Sequence, residues 1–216
     1  MIKPQVSKKR FLINDFSAYV KDYLLDESPV SSIEVNSEHI KEKDFFKLEI
    51  TTSVFQNCTF NSCCFEDASF TDVVFDSCDF SNSKFTGAYF ERCQFVRCKC
   101  VGADMQNTRI KQSSFEQSNF QYSLFDKAKM TEVLFDHTDC AEASISEAKL
   151  MKFEAKGSRF IKNNFVNTML GTIDFTKNEF AMPIISNPPV ELKGVIIDMF
   201  QAADLIGYWG VVVKRD

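Results

Sequence analysis

Residues 58–97 read CTFNS CCFED ASFTD VVFDS CDFSN SKFTG AYFER CQFVR, eight blocks of five with phenylalanine third in each. An α-helix repeats every 3.6 residues and an extended strand every 2.0, so neither returns a side chain to one face every five. The beat extends well beyond this stretch. Counting in fives from Phe45 to Phe180 gives 28 slots, of which phenylalanine fills 18, Ile, Leu or Met seven, Cys two and Ala one. Only Phe46 and Phe153 fall off it within that window. A fixed period of this kind predicts a solenoid, whose units bury their apolar groups only by stacking on one another.

A second beat sharpens the first. Two residues before each slot the chain is small: from Leu48 to Asn178, 22 of 27 such positions are Ala, Cys, Ser, Thr or Val. One large and one small inward group per block is what a narrow, close-packed coil needs. At Phe153-Glu154-Ala155 the large and small residues trade places, which conserves their combined volume.

These blocks resemble the pentapeptide-repeat family, whose motif is A(D/N)LXX with Leu or Phe at its centre. The resemblance covers about residues 45–185. It implies an all-β solenoid, a right-handed quadrilateral β-helix in which four blocks make one square coil of twenty residues. The slots would then make about seven coils, a stack roughly 34 Å long at ~4.8 Å per coil. Residues twenty apart share a face, so Phe55, Phe75, Phe95, Phe115, Phe135, Ala155 and Phe175 form one inner column.

The chain of 216 residues fits one domain with appendages. Residues 1–44 are expected to form an N-terminal cap, 45–187 the repeat β-helix, and 188–216 a C-terminal dimerisation helix and strand. No apolar run reaches membrane-spanning length, and the basic start lacks the apolar stretch of a signal peptide. A cytoplasmic protein without a membrane partner is expected. Of eight cysteines, Cys58, Cys63, Cys78, Cys93 and Cys98 take the small slot and Cys100 and Cys140 the large one, which predicts buried free thiols rather than a metal site. No glycine-rich phosphate loop, nucleophile–histidine pair or metal motif is present in the sequence, so neither an enzyme nor a cofactor is expected.

Phe16, Tyr19, Val20, Tyr23 and Leu24 follow the spacing of an amphipathic helix, with Asn14 or Asp15 as cap and Pro29 as stop. Such a helix would cover the exposed first rung of the stack. At the other end Pro188 and Pro189 break the register. Asp198 and Gln201 then form a capping-box pattern before a helix from about Met199 to Trp209, ended by Gly210. Val211, Val212 and Val213 read as a short strand. One solenoid end cannot satisfy all these apolar groups. The expectation is therefore a two-fold homodimer through Phe200, Leu205, Ile206, Trp209, Val211, Val212 and Val213, with capping within one chain as the alternative.

The order Gly194-Val195, Asp198, Gln201-Ala202, Leu205 and Gly210 before a β-branched run resembles the dimerisation segment of Qnr-type quinolone-resistance proteins. That resemblance implies a dimeric rod that binds type II topoisomerases, DNA gyrase or topoisomerase IV, through DNA-like shape and charge, without binding nucleic acid itself. Such proteins protect the enzyme from fluoroquinolones or inhibit it. The unbroken repeat is similar to the loop-free members. A mimic needs carboxylates along the rod, and on the twenty-residue grid Asp72, Asp76, Asp79, Glu116, Asp136 and Asp139 are the candidate acidic stripe. From Phe45 to Ile185 there are 18 acids against 15 bases. The alternative function is an interaction scaffold or toxin-immunity protein with another target.

Overall fold

The computed structural model describes residues 3–214, without the side chain of Trp209. The chain winds into a right-handed four-sided solenoid of about nine turns. Its first face stacks seven strands from Val30–Ser31 to Lys149–Met151, in parallel and twenty residues apart. Its second face stacks eight, from Phe11–Ile13 through Ile33–Asn36 to Glu154–Lys156. Short strands and single bridges complete the third and fourth faces, running Thr59, Asp79, Lys99, Asn119, Asp139, Arg159 and Asp44, Cys64, Lys84, Asp104, Leu124, Ser144, Asn164, Ile184.

The two beats have separate jobs. The large slot fills the interior: Phe45 and Phe65, Phe65 and Phe85, and Phe70 and Phe90 stack with ring centroids 5.0–5.1 Å apart. The small slot does more than fit. Its polar side chain donates to the carbonyl of the large residue one coil back: Cys78 Sγ to Phe55 (3.5 Å), Cys98 Sγ to Phe75 (3.3 Å), Ser118 Oγ to Phe95 (3.2 Å) and Thr138 Oγ1 to Phe115 (2.8 Å). Buried carbonyls need such partners, which is why Cys, Ser and Thr share the slot with Ala. Two exceptions to smallness, Asn163 and Asn178, fill the same role by donating their amides to Cys140 and Ala155. All eight cysteines are free and all but Cys64 are buried; burial pushes the Cys93 thiol up to about 12.

From Ser32 to Met182 every corner but that of Lys177 turns through a residue with positive φ two places after the large slot, as at Ser77 (56°), Asn82 (57°) and Tyr122 (59°). For a side chain other than glycine this conformation costs roughly 1 kcal/mol, offset here by ladder hydrogen bonds to both neighbouring coils. Gly87 sits at one corner because the Asp67 carboxylate folds over it, 2.3 Å from where a Cβ would stand.

The solenoid is longer than the phenylalanine beat implies. Its first coil starts at Val30, not at residue 45, because Val30, Val35 and Ile40 occupy slots where β-branched residues replace phenylalanine. The space their smaller side chains leave is filled from outside the repeat. Helix α1 (Phe16–Leu25), capped by Asp15, drives the Phe16 ring into the end of the stack against Phe45, Phe55 and Phe60. At the far end residues 190–197 still add a partial coil, with Asp174 bridging Ile196 at a spacing of 22 rather than twenty. The extra residues fall between Ile184 and Glu191, the stretch that contains Pro188 and Pro189.

Helix α2 (Met199–Ile206) closes the C-terminal end, with the expected capping box between Asp198 and Gln201. A 3₁₀ turn, Gly207–Trp209, follows, and Gly210 ends it with φ of 72°. Residues 211–213 form no strand, contrary to the expectation from three consecutive valines. A strand needs a hydrogen-bonding neighbour, and among the described residues none pairs with them.

Candidate interaction surface

The stack sets the six candidate carboxylates on two faces and the edge between first and second. Asp76, Glu116 and Asp136 do share one column on the second face, with Val96 between the first two. Asp79 and Asp139 share a column on the third, separated by Lys99 and Asn119. Asp72 stands on the edge before the second face.

All six are already engaged. Arg92 grips Asp72 with both prongs (2.8 and 2.7 Å), and the Gln5 amide donates to the same carboxylate at 2.8 Å. The guanidinium beside it, followed by that backbone amide, holds the Asp72 carboxyl below the usual range despite burial. Arg97 pairs with Asp76, Lys99 with Asp79 (3.4 Å) and Arg159 with Asp139 (2.6 Å). His137 hydrogen-bonds Asp136, and Ser114 Oγ donates to Glu116 at 2.7 Å. The bases come mostly from the next coil, twenty or so residues on, so the column is a lattice of acids and bases rather than an open run of negative charge. Exposed pairs of this sort are worth at most about 1 kcal/mol; their main effect is on the surface potential.

The C-terminal end presents a different chemistry. Phe200 is 68 % and Val212 84 % exposed, and Met199, Ile206, Tyr208, Val211 and Val213 are exposed around them. Leu205 departs from the expected interface: it is 4 % exposed and belongs to the core, because its side of α2 faces the last rung. Trp209, also assigned to the interface, has its side chain outside the described residues.

Two residues that sequence reasoning undervalued hold this end in place. Gln201 Nε2 donates to the carbonyls of Phe175 (2.9 Å) and Asn178 (2.8 Å) while its Oε1 accepts from the Asp198 amide. It thus does for the last rung what Cys, Ser and Thr do inside the stack. Glu191 is fully buried and accepts from the Asn167 amide (2.8 Å), the Ser186 amide (3.1 Å) and the Ser186 hydroxyl. Burial pushes its carboxyl up, but these hydrogen bonds outweigh burial and hold it below the ordinary range. A depressed folded-state pKa contributes stability above the unfolded value, about 4.3, that is lost as pH falls through the lower folded value. Hydrogen exchange at residues 186–197 should therefore accelerate first in acid. Glu191→Gln should make that segment's protection independent of pH across the same window; an unchanged acid response in that variant would remove Glu191 from the role.

Among the described residues no group of His, Cys, Asp and Glu is placed to hold a metal ion, and no helix is long and apolar enough to cross a membrane. The family model for the pentapeptide repeat region matches residues 68–145. The chain therefore carries a pentapeptide-repeat region within its solenoid. No curated protein matches its sequence. Among solved structures, a trypsin-treated variant of QnrB1, a plasmid-mediated fluoroquinolone resistance protein, matches at 19 % identity over 84 % of this chain and 92 % of its own, with a TM-score of 0.50. A second trypsin-treated QnrB1 variant matches at 18 % identity over 84 % of this chain and 100 % of its own, with a TM-score of 0.40. HetL, a pentapeptide repeat protein involved in heterocyst differentiation regulation in the cyanobacterium Nostoc, matches at 11 % identity over 86 % and 98 %, with a TM-score of 0.30. The first of these likenesses establishes a shared solenoid fold. The repeat accounts for the square section, and the chain's own ends, α1 and α2, account for how the pentapeptide stack is closed.

Proposed function

We propose that this protein binds a type II topoisomerase, DNA gyrase or topoisomerase IV, and either protects it from fluoroquinolones or inhibits it. The observation that carries this reading is an unbroken, four-sided rod of about nine turns whose α2 end turns apolar side chains outward. At ~4.8 Å per turn the rod is roughly 43 Å long, and two copies joined through that end would double its reach. The fold likeness to QnrB1, a fluoroquinolone resistance protein, supports the same reading. Because the acidic column is internally paired, shape supplies more of the recognition than net charge.

The test is a gyrase supercoiling assay titrated with the full chain, with and without ciprofloxacin, alongside light scattering. Restored supercoiling in drug establishes protection, and loss of supercoiling without drug establishes inhibition; a dimeric mass is expected in both cases. Asp76→Lys with Asp136→Lys should spare stability and weaken the effect. No effect of the chain in either arm, with gyrase from its own host, would leave it an interaction scaffold for another partner.

A further inference from the structure

Charges on this rod generally alternate in sign from one coil to the next: Asp72 with Arg92, Asp79 with Lys99, Glu91 with Lys111, Lys127 with Glu147, Glu132 with Lys152, and Asp139 with Arg159 and then Glu179. Among direct register partners two columns break the rule: Glu116 and Asp136 on the second face, each with a polar partner of its own, and a basic column on the first. Arg109, Lys129 and Lys149 are direct register partners on the first face. All three are exposed, and among the described residues none of the three side chains has a hydrogen-bond or ion-pair partner. Like charges set directly opposite each other destabilise a sheet, here at rungs only ~4.8 Å apart. The Glu116–Asp136 pair is relieved by Ser114 and His137, whereas the basic ladder carries this cost without such relief among the described residues.

The chemistry changes at the end of the ladder. One coil beyond Lys149 the column reaches Met169, and Met169, Met151, Leu150 and Ala148 line a depression beside Lys149, with Asn167 and with Glu147, which pairs with Lys127. Both methionines are exposed. Three cations in a row followed by two flexible thioethers make a surface with a polarity along its length.

We infer that this part of the first face, from Arg109 to Met169, is a docking surface for an extended acidic segment of a partner protein. Carboxylates of the segment lie along the ladder, and a large aliphatic side chain settles on the methionines. Same-side residues of an extended chain recur at roughly 6.8 Å, and Arg109 to Lys149 spans roughly 10 Å, a mismatch that the long Lys and Arg stems absorb. A nucleic acid fits less well. The thioethers offer nothing to phosphates, whereas they can seat an aliphatic side chain of a peptide.

The probe is a fluorescein-labelled peptide of alternating aspartate and serine closed by leucine, followed by anisotropy at low salt against the full chain. Saturable binding is expected, weakened at least about tenfold by Lys129→Glu and more mildly by Met169→Ser or by replacing the closing leucine with serine. The same Lys129→Glu should raise the urea midpoint, because it places opposite charges at all three rungs; a purely structural column would show that rise with no peptide binding to lose. Absence of peptide binding, binding indifferent to Lys129→Glu, or tighter binding of a short DNA duplex each overturns the assignment. No topoisomerase enters the measurement, so its outcome is separate from that of the proposed function.

Discussion

Phe115→Ala should lower stability by about 3–5 kcal/mol, roughly a fifth or more of what an ordinary domain possesses. The ring is fully buried, with the centroids of Phe95, Phe120 and Phe135 at 5.1, 4.9 and 4.8 Å. Its coil holds no other phenylalanine: the remaining slots are Cys100, Met105 and Ile110. Ring contacts therefore cross from the N-terminal to the C-terminal half only from Phe95, to Phe115 and to Phe120. Removing Phe115 leaves a cavity and a single aromatic contact across the middle of the rod. Since stacked repeats depend on their nearest neighbours, urea unfolding followed by circular dichroism should shift to lower denaturant and lose its single sharp transition. A curve superimposable on that of the unaltered chain would contradict the register on which the core is built.

A loss of similar size, about 3–5 kcal/mol, is expected for Phe16→Ala, but confined to one end. Among the described residues, Phe16 is the one aromatic ring from outside the repeat that enters the phenylalanine stack, with centroids 5.4, 5.3 and 5.8 Å from those of Phe45, Phe55 and Phe60. Its amide is held by the Glu38 carboxylate at 2.9 and 3.0 Å, which ties the start of α1 to the first coil. Without the ring, the coil of Val30, Val35, Ile40 and Phe45 loses its cover and opens as a local unit. Hydrogen exchange and limited proteolysis should report loosening from residue 14 to about 60 while the middle coils stay protected. Protection that persists at residues 30–60 would mean that α1 is dispensable as a cap.

The interior was legible in the sequence because its signal is redundant: every inward position of seven coils repeats the same two demands for volume. The ends were not, since each is closed by a single, unrepeated element. Val35 and Ile40 keep the beat without the phenylalanine, enough to suggest an irregular first coil; the ladder shows that this coil pairs in register and begins at Val30. The capping box of Asp198 and Gln201 was visible as a local pattern. That the Gln201 amide also serves carbonyls more than twenty residues earlier was not, because that pairing depends on where the last rung ends.

The acidic stripe shows the same division. Spacing correctly placed Asp76, Glu116 and Asp136 in one column, since a period of twenty fixes columns. It could not show that Arg97 reaches Asp76 or that Arg92 clamps Asp72, because those contacts follow from side-chain reach across a corner. By itself, the sequence determined the solenoid, its register and the contents of its core, all consequences of a backbone repeat imposed by local volume. Only the tertiary structure decided which charges are neutralised, which side of α2 is buried and where an unpaired basic ladder remains. Those outcomes depend on side chains from different coils meeting in space, and the five-residue period does not encode them.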